Sequence, residues 1–159
     1  MDIIVAADRN WAIGKGGDQF VRIPADLRRF RVLTDGHPVI LGRRTLATLP
    51  GGRPLPDRRN LLLSRDPDFH PEGAEVFRDL DALLSAAPAN SFVIGGGSVY
   101  AALLDRCDTA YVTKLDAAWP ADTWFPDLDA RPGWTAARTE GPFEHEGLRY
   151  HYITYRKTK

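Results

Sequence analysis

At 159 residues with 43% hydrophobic residues, the chain is expected to form one domain over residues 1–159, large enough for a core with a pocket inside it. Its 21 basic and 21 acidic residues cancel, so no global field recruits nucleic acid or an anionic membrane, and any anion site must come from a local arginine cluster. A lone cysteine, Cys107, excludes an internal disulfide and suits a reducing cytosol, while no apolar run is long enough to span a bilayer and the first residues lack a signal peptide's basic start.

The first element is a buried strand, Ile3 to Ala7. Asp8 to Arg22 follows as a long loop holding Gly14, Gly16 and Gly17 with two apolar anchors, Trp11 and Ile13; loops of this length are often lids or binding segments. Ile23-Pro24-Ala25-Asp26-Leu27-Arg28-Arg29-Phe30-Arg31 then starts a helix, with Pro24 suited to its first position. Helical spacing stacks Asp26 with Phe30 at i+4 and puts Leu27 beside them, while Arg28, Arg29 and Arg31 largely occupy the other side. Asp26 either complements the helix dipole from the first turn or is an acid aimed at a cavity. The helix fades at Asp35-Gly36.

Val39 to Gly42 is a continuous apolar run suited to a strand buried on both faces, and a short helix begins at its end with Arg43-Arg44-Thr45. Pro50 to Pro56 must be irregular. Asn60 to Ser64 is the next buried strand, Ala74 to Phe77 a short one, Asp79 to Ala86 a helix, and Ser91 to Ile94 another buried strand. Three glycines precede a helix from Ser98 to Asp105, and Ala110 to Thr113 is a further strand. Trp134 to Thr139 and Leu148 to Arg156 read as an antiparallel pair joined across Gly141 to Gly147. This pattern predicts an α/β fold: a mostly parallel central sheet, helices on both faces, and an antiparallel C-terminal edge hairpin.

Three strand tips carry polar or glycine-rich residues, and the carboxyl ends of strands in open α/β sheets are where ligands bind. Ile94-Gly95-Gly96-Gly97-Ser98-Val99-Tyr100 is either a tight turn or a place where a phosphate meets bare backbone and a helix start. It is not G-x-G-x-x-G, because Tyr100 stands at the last glycine, and Gly14-Lys15-Gly16-Gly17 is not a phosphate loop. Arg43-Arg44-Thr45 and Ser64-Arg65 would gather three guanidinium groups and two hydroxyls if their strands are neighbours, a suitable site for a phosphate monoester; on a solvated surface they would do nothing. Arg58, after Pro54-Leu55-Pro56, either clamps a carboxylate or makes a surface ion pair. His37, His70, His145 and His151 show no metal-ligand spacing, and no metal site is expected. With no nucleophile elbow and no second acid near Asp26, hydrolysis is poorly supported, and one pocket acid with a dinucleotide site suits hydride transfer.

These motifs resemble the bacterial dihydrofolate reductases over essentially the whole chain. The matching pieces are Trp11 to Lys15, Ile23 to Leu27 with Phe30, Val39 to Arg43, Arg53 to Pro56 with Arg58-Arg59-Asn60, Val93 to Tyr100, and Asp122-Thr123 with Phe125-Pro126. The resemblance implies reduction of 7,8-dihydrofolate to tetrahydrofolate by hydride from NADPH, in a cytoplasmic monomer that antifolates inhibit. Asp26 falls on the family's pocket acid, which binds the amino-pyrimidine edge of the pterin and favours protonation at N5 without touching it. Val5, Ala6, Leu27, Phe30, Leu49, Ile94 and Tyr100 would line the substrate pocket, Thr113 would reach Asp26, and Arg58 would grip the glutamate α-carboxylate. On the cofactor side, Ala7, Ile13 and Gly14 would meet the nicotinamide end. Gly95, Gly96, Gly97, Ser98 and Val99 would take the pyrophosphate, with a cis bond at Gly95-Gly96. Arg43, Arg44, Thr45, Ser64 and Arg65 would take the adenosine side, and Gly42, Leu63 and Thr123 would also contact the cofactor.

The departure from the family is Gln19-Phe20-Val21-Arg22, since most members carry proline then tryptophan at Phe20 and Val21. Valine cannot donate the indole N–H hydrogen bond, so an unusual response to diaminopyrimidine antifolates is expected. Two other readings are a same-fold reductase acting on a ribosylated pyrimidine, which Asp26 and Arg58 disfavour, and a folate- or nucleotide-binding protein with little catalysis.

Overall fold

The computed structural model describes residues 1–158. Six strands with apolar sequences form the parallel body of an eight-stranded sheet: β1 (Asp2–Ala7), β3 (Val39–Gly42), β4 (Asn60–Leu63), β5 (Glu75–Phe77), β6 (Phe92–Gly95) and β7 (Thr109–Leu115). With β9 (Trp134–His145) and β10 (Leu148–Lys157), the spatial order is β5-β4-β3-β6-β1-β7-β10-β9. The last two strands are antiparallel, β10 to β7 and β9 to β10, so the edge hairpin stands where the sequence predicts it.

The central strands are apolar on both sides because both faces are covered. Ile3, Val5, Ile40, Leu61 and Val93 point to a face packed by Leu83 of α3 (Leu80–Ala86) and by Val99 and Leu103 of α4 (Gly97–Leu103). Ile4, Val39, Leu41, Leu62, Phe92 and Ile94 point the other way, against Phe30 and Leu33 of α1 (Pro24–Thr34) and Leu46 of α2 (Arg43–Thr48). No helix of the described residues is long and apolar enough to cross a membrane.

Two segments differ from expectation. The Asp8 to Arg22 loop is not wholly irregular: Ala12–Gly14 forms β2, paired with β8 (Thr123–Trp124). A three-residue strand whose partner lies over a hundred residues away leaves no periodicity to read. The C-terminal connection is also shorter than the expected Gly141 to Gly147. β9 continues to His145, and the chain reverses at Glu146 and Gly147, with φ of 49° and 82°, both positive as a two-residue hairpin turn requires. Gly141 and Pro142, joined by a cis bond, are absorbed by a register shift opposite Tyr150 and Tyr152; proline is tolerated there because β9 is an edge strand.

Candidate active site

The carboxyl ends of β1, β3, β4 and β6 open into one cavity of about 860 Å³. It is an elongated crevice whose two ends have different chemistry.

At one end is Asp26. Pro24 opens α1, and two residues on, the Asp26 side chain turns toward β7, where the Thr113 hydroxyl donates to its Oδ1 at 2.6 Å. Burial pushes the Asp26 carboxyl above its ordinary range, while the Thr113 hydrogen bond and then the Arg29 charge pull it back. Ile4, Val5, Ala6, Leu27, Phe30, Ile94 and Tyr100 complete this apolar end. Tyr100 is fixed by donating to the Ile4 carbonyl at 2.7 Å, and burial pushes its phenol far above the ordinary value, so it is a neutral wall. Asp18 and Asp79 also line the cavity, but both are exposed; Asp26 is the half-buried acid among the described lining residues.

The middle is the turn from β6 to α4. Gly95 has φ of +135°, and a Cβ there would lie 2.9 Å from Thr45 Oγ1, so only glycine fits. The Gly95-Gly96 bond is cis, as the resemblance implies. Gly96, Gly97, Ser98 and Val99 line the cavity with Ile13, Gly14, Gly42 and Thr123, leaving bare backbone facing inward.

The far end is basic. Arg43, Arg44, Thr45, Leu63, Ser64 and Arg65 are gathered here because β3 and β4 are neighbours with Gly42 opposite Leu63. The three guanidinium groups are not equivalent. Arg43 pairs with Asp66 at 2.9 Å and its Cζ lies 4.1 Å from the Phe69 ring centroid, leaving the exposed Arg44 and Arg65.

Three candidates do not line this cavity. Ala7 is fully buried in the sheet. Leu49 packs in the α1-side core and borders a neighbouring groove of about 520 Å³. Arg58 donates to the Pro56 carbonyl at 2.9 Å and to Thr34 Oγ1 at 2.7 Å, which holds it against the end of α1.

The structure adds two residues that the sequence reading did not single out. Asp8, fully buried at the end of β1, accepts N–H bonds from Asn10 (2.8 Å), Ala12 (2.9 Å) and Trp119 (3.0 Å), so it ties the start of the 8–22 loop to the loop after β7. The only sequence signal is an aspartate directly after a buried strand. Arg78 lines the basic end and donates to the carbonyls of Ser64, Asp66, Pro67 and Phe69, folding the 64–70 turn around itself. Nothing local marks it.

Within the 8–22 loop, the Gly16 N–H donates to Asp122 Oδ2 at 2.9 Å. Phe20 turns away from the cavity and stacks on Trp119 at 5.1 Å, and Val21 joins Ile23, Leu115, Tyr150 and Tyr152 in a small apolar cluster. Cys107 is buried and its thiol is pushed up to about 12, chiefly by burial, so it stays protonated.

The sequence model of the family described as Dihydrofolate reductase matches residues 1–157. The chain is 40% identical over 160 residues to the dihydrofolate reductase of Mycobacterium tuberculosis H37Rv, covering 98% of this chain and 97% of that one. It is 44% identical over 129 residues to the type 3 dihydrofolate reductase of Salmonella typhimurium, covering 80% and 78% respectively. Among solved structures it is similar to the dihydrofolate reductase from Enterococcus faecalis complexed with NADP(H) and RAB-propyl, with a TM-score of 0.88, 31% identity, and coverage of 99% of this chain and 96% of that one. An α/β sheet with its strand tips opening on one crevice, together with the family match over residues 1–157 and these similarities, places the chain in the dihydrofolate reductase family.

Proposed function

We propose that this reductase converts 7,8-dihydrofolate to tetrahydrofolate with Asp26 as the pocket acid that supports protonation at N5, in a cytoplasmic monomer. The observation that carries the assignment is the half-buried carboxylate of Asp26 in the cavity wall, bonded to Thr113 at 2.6 Å. A carboxylate raised by burial yet partly restored by a hydroxyl donor and a nearby cation is suited to hold a protonated amino-pyrimidine edge through charge-assisted hydrogen bonds. Val5, Ala6, Leu27, Phe30, Ile94 and Tyr100 would clasp the flat apolar faces of the ring and exclude water, which strengthens that electrostatic contact. Arg58, held in place by Thr34 and Pro56, would bind the carboxylate at the substrate's far end, and Leu49 would flank the connecting ring.

The rest of the crevice suits NADPH in donor chemistry. Glycine backbone at Gly95 and Gly96, the Thr45 hydroxyl, and Arg44 and Arg65 supply the bare N–H groups and cations that phosphates need. Ile13, Gly14 and Thr123 would border the nicotinamide end, and Arg78 would hold the 64–70 turn that presents Arg65. When bound, NADPH supplies the hydride. The chain's own part is to align the two rings, close the lid over them and fix a negative charge beside the pterin.

The test is NADPH consumption, followed by its near-ultraviolet absorbance, with dihydrofolate added to wild type and to Asp26→Asn. Dihydrofolate-dependent turnover that falls by at least tenfold at neutral pH in the variant, and partly returns in acid where substrate arrives protonated, supports the assignment. Turnover equal to wild type at neutral pH removes Asp26 from the mechanism.

A further inference from the structure

Arg29 lies on α1 at i+3 from Asp26, but it does not line the cavity. Its Cζ sits 3.9 Å from the centroid of the Tyr152 ring and 6.0 Å from that of Tyr111. Those two tyrosines stand on neighbouring strands, β10 and β7, on the face that also carries Thr113, whose register partner is Tyr152. Asp26, Thr113, Tyr152 and Arg29 therefore form one group, linked by the Thr113 hydrogen bond, the β7–β10 register and the Arg29–Tyr152 contact.

The fit is unusual for a side chain with only a packing role. Nη1 of Arg29 is buried and has no hydrogen-bond partner among the described residues. An unmade hydrogen bond from a buried cation is unfavourable, and a leucine or methionine would cover the Tyr152 ring without that penalty. What arginine adds is a permanent positive charge on a planar group that an aromatic face can hold in one orientation.

We propose that Arg29 is a positioning residue of the reductase reaction: laid on Tyr152, it fixes a positive charge one helical turn from Asp26, the acid that the substrate meets. This rests on the reading of Asp26 as the pocket acid. The titratable and charged groups facing Asp26 are Arg29 from α1 and Tyr152 from β10, with Tyr150 beside Tyr152; the contact from β7 is the uncharged Thr113 hydroxyl. Burial and then the Asp26 charge push Tyr152 well above the ordinary phenol range, so it stays neutral and Arg29 is the charge that acts on Asp26.

The experiment titrates the Asp26 carboxyl by 13C NMR in protein labelled at aspartate, its signal assigned by its loss in Asp26→Asn. Wild type is compared with Arg29→Met, Arg29→Gln and Arg29→Lys, and the pH profiles of kcat and of the dihydrofolate KM are measured alongside. Removing a unit charge one helical turn away, at an effective dielectric between those of surface and water, raises the midpoint by about half to one pH unit. The expected result is that rise in both neutral variants, a midpoint near wild type in Arg29→Lys, and kinetic profiles displaced with the midpoint. Two neutral variants keep the test standing if one fails to fold. An unmoved midpoint in folded Arg29→Met or Arg29→Gln, even with a lowered melting temperature, overturns the role of Arg29 and leaves Asp26 untouched. Wild-type turnover in Asp26→Asn instead overturns the reading of Asp26, and any part for Arg29 in the reaction with it.

Discussion

Asp8→Asn tests whether the 8–22 loop is anchored through a single buried side chain. In the wild type, Oδ1 accepts the N–H groups of Asn10 and Ala12 while Oδ2 accepts that of Trp119, all at 2.8 to 3.0 Å and out of contact with solvent. Asparagine has one oxygen. If it keeps Asn10 and Ala12, its NH₂ group faces the Trp119 N–H, donor against donor; if it flips, two N–H groups lose their acceptor. The first arrangement is the milder. It leaves one buried donor unsatisfied, about 1–3 kcal/mol, and turns two charge-assisted bonds into ordinary ones, about 0.5–1 kcal/mol each. Part is offset because a buried charge is no longer desolvated. The expected net loss is about 2–3 kcal/mol, which for a chain of this size lowers Tm by roughly 4–12 °C. Urea and thermal unfolding measure the loss. Amide hydrogen exchange locates it, with Trp119 exchanging faster while the centre of β6 changes only as global stability changes. The Lys114 ammonium, which donates to the Asp8 carbonyl at 3.0 Å, serves as an internal control because the substitution leaves that backbone oxygen in place. A Tm within about 1 °C of wild type, with Trp119 exchange unchanged, would refute the anchor.

Three further outcomes are expected. The Asp26 carboxyl binds its proton more tightly folded than unfolded, because burial opposes its charge. Its contribution to stability is therefore complete below the ordinary carboxylate value and is lost as pH rises through the folded one, so Asp26→Asn should gain in Tm relative to wild type between pH 4 and pH 7; a constant or shrinking difference contradicts the burial argument. Gly97→Ala places a Cβ 2.5 Å from Thr123 Cγ2, and should cost about 1–3 kcal/mol and weaken NADPH binding, with Thr123→Ser recovering part of both by removing that methyl; NADPH titration by fluorescence and thermal unfolding decide it. Because Val21 packs into the cluster of Ile23, Leu115, Tyr150 and Tyr152, Val21→Trp changes both the volume and the donors beside α1, and a trimethoprim inhibition constant unaltered by it would show that this departure from the family does not govern antifolate response.

The sequence by itself determined the alternation of strand and helix, because apolar runs such as Val39 to Leu41 and Phe92 to Ile94 are legible without tertiary context and admit only a sheet covered on both sides. It also set Asp26 beside Phe30 on one face of α1, since Pro24 fixes where the helix begins, while leaving open whether that face meets solvent or a cavity. What only the tertiary structure decided are the pairings between distant residues. The Thr113 hydroxyl on Asp26, the Trp119 N–H on Asp8, β2 against β8, and Arg29 on Tyr152 each join segments separated by more than eighty residues. The same holds for the division of labour among the arginines: Arg43 turns to Asp66 and Phe69, and Arg78 folds a turn around itself, because a guanidinium goes to the acceptors the fold brings near it. Local periodicity reports which face of an element is apolar; which partner meets that face depends on strand order and register, and these exist only once the whole sheet has closed.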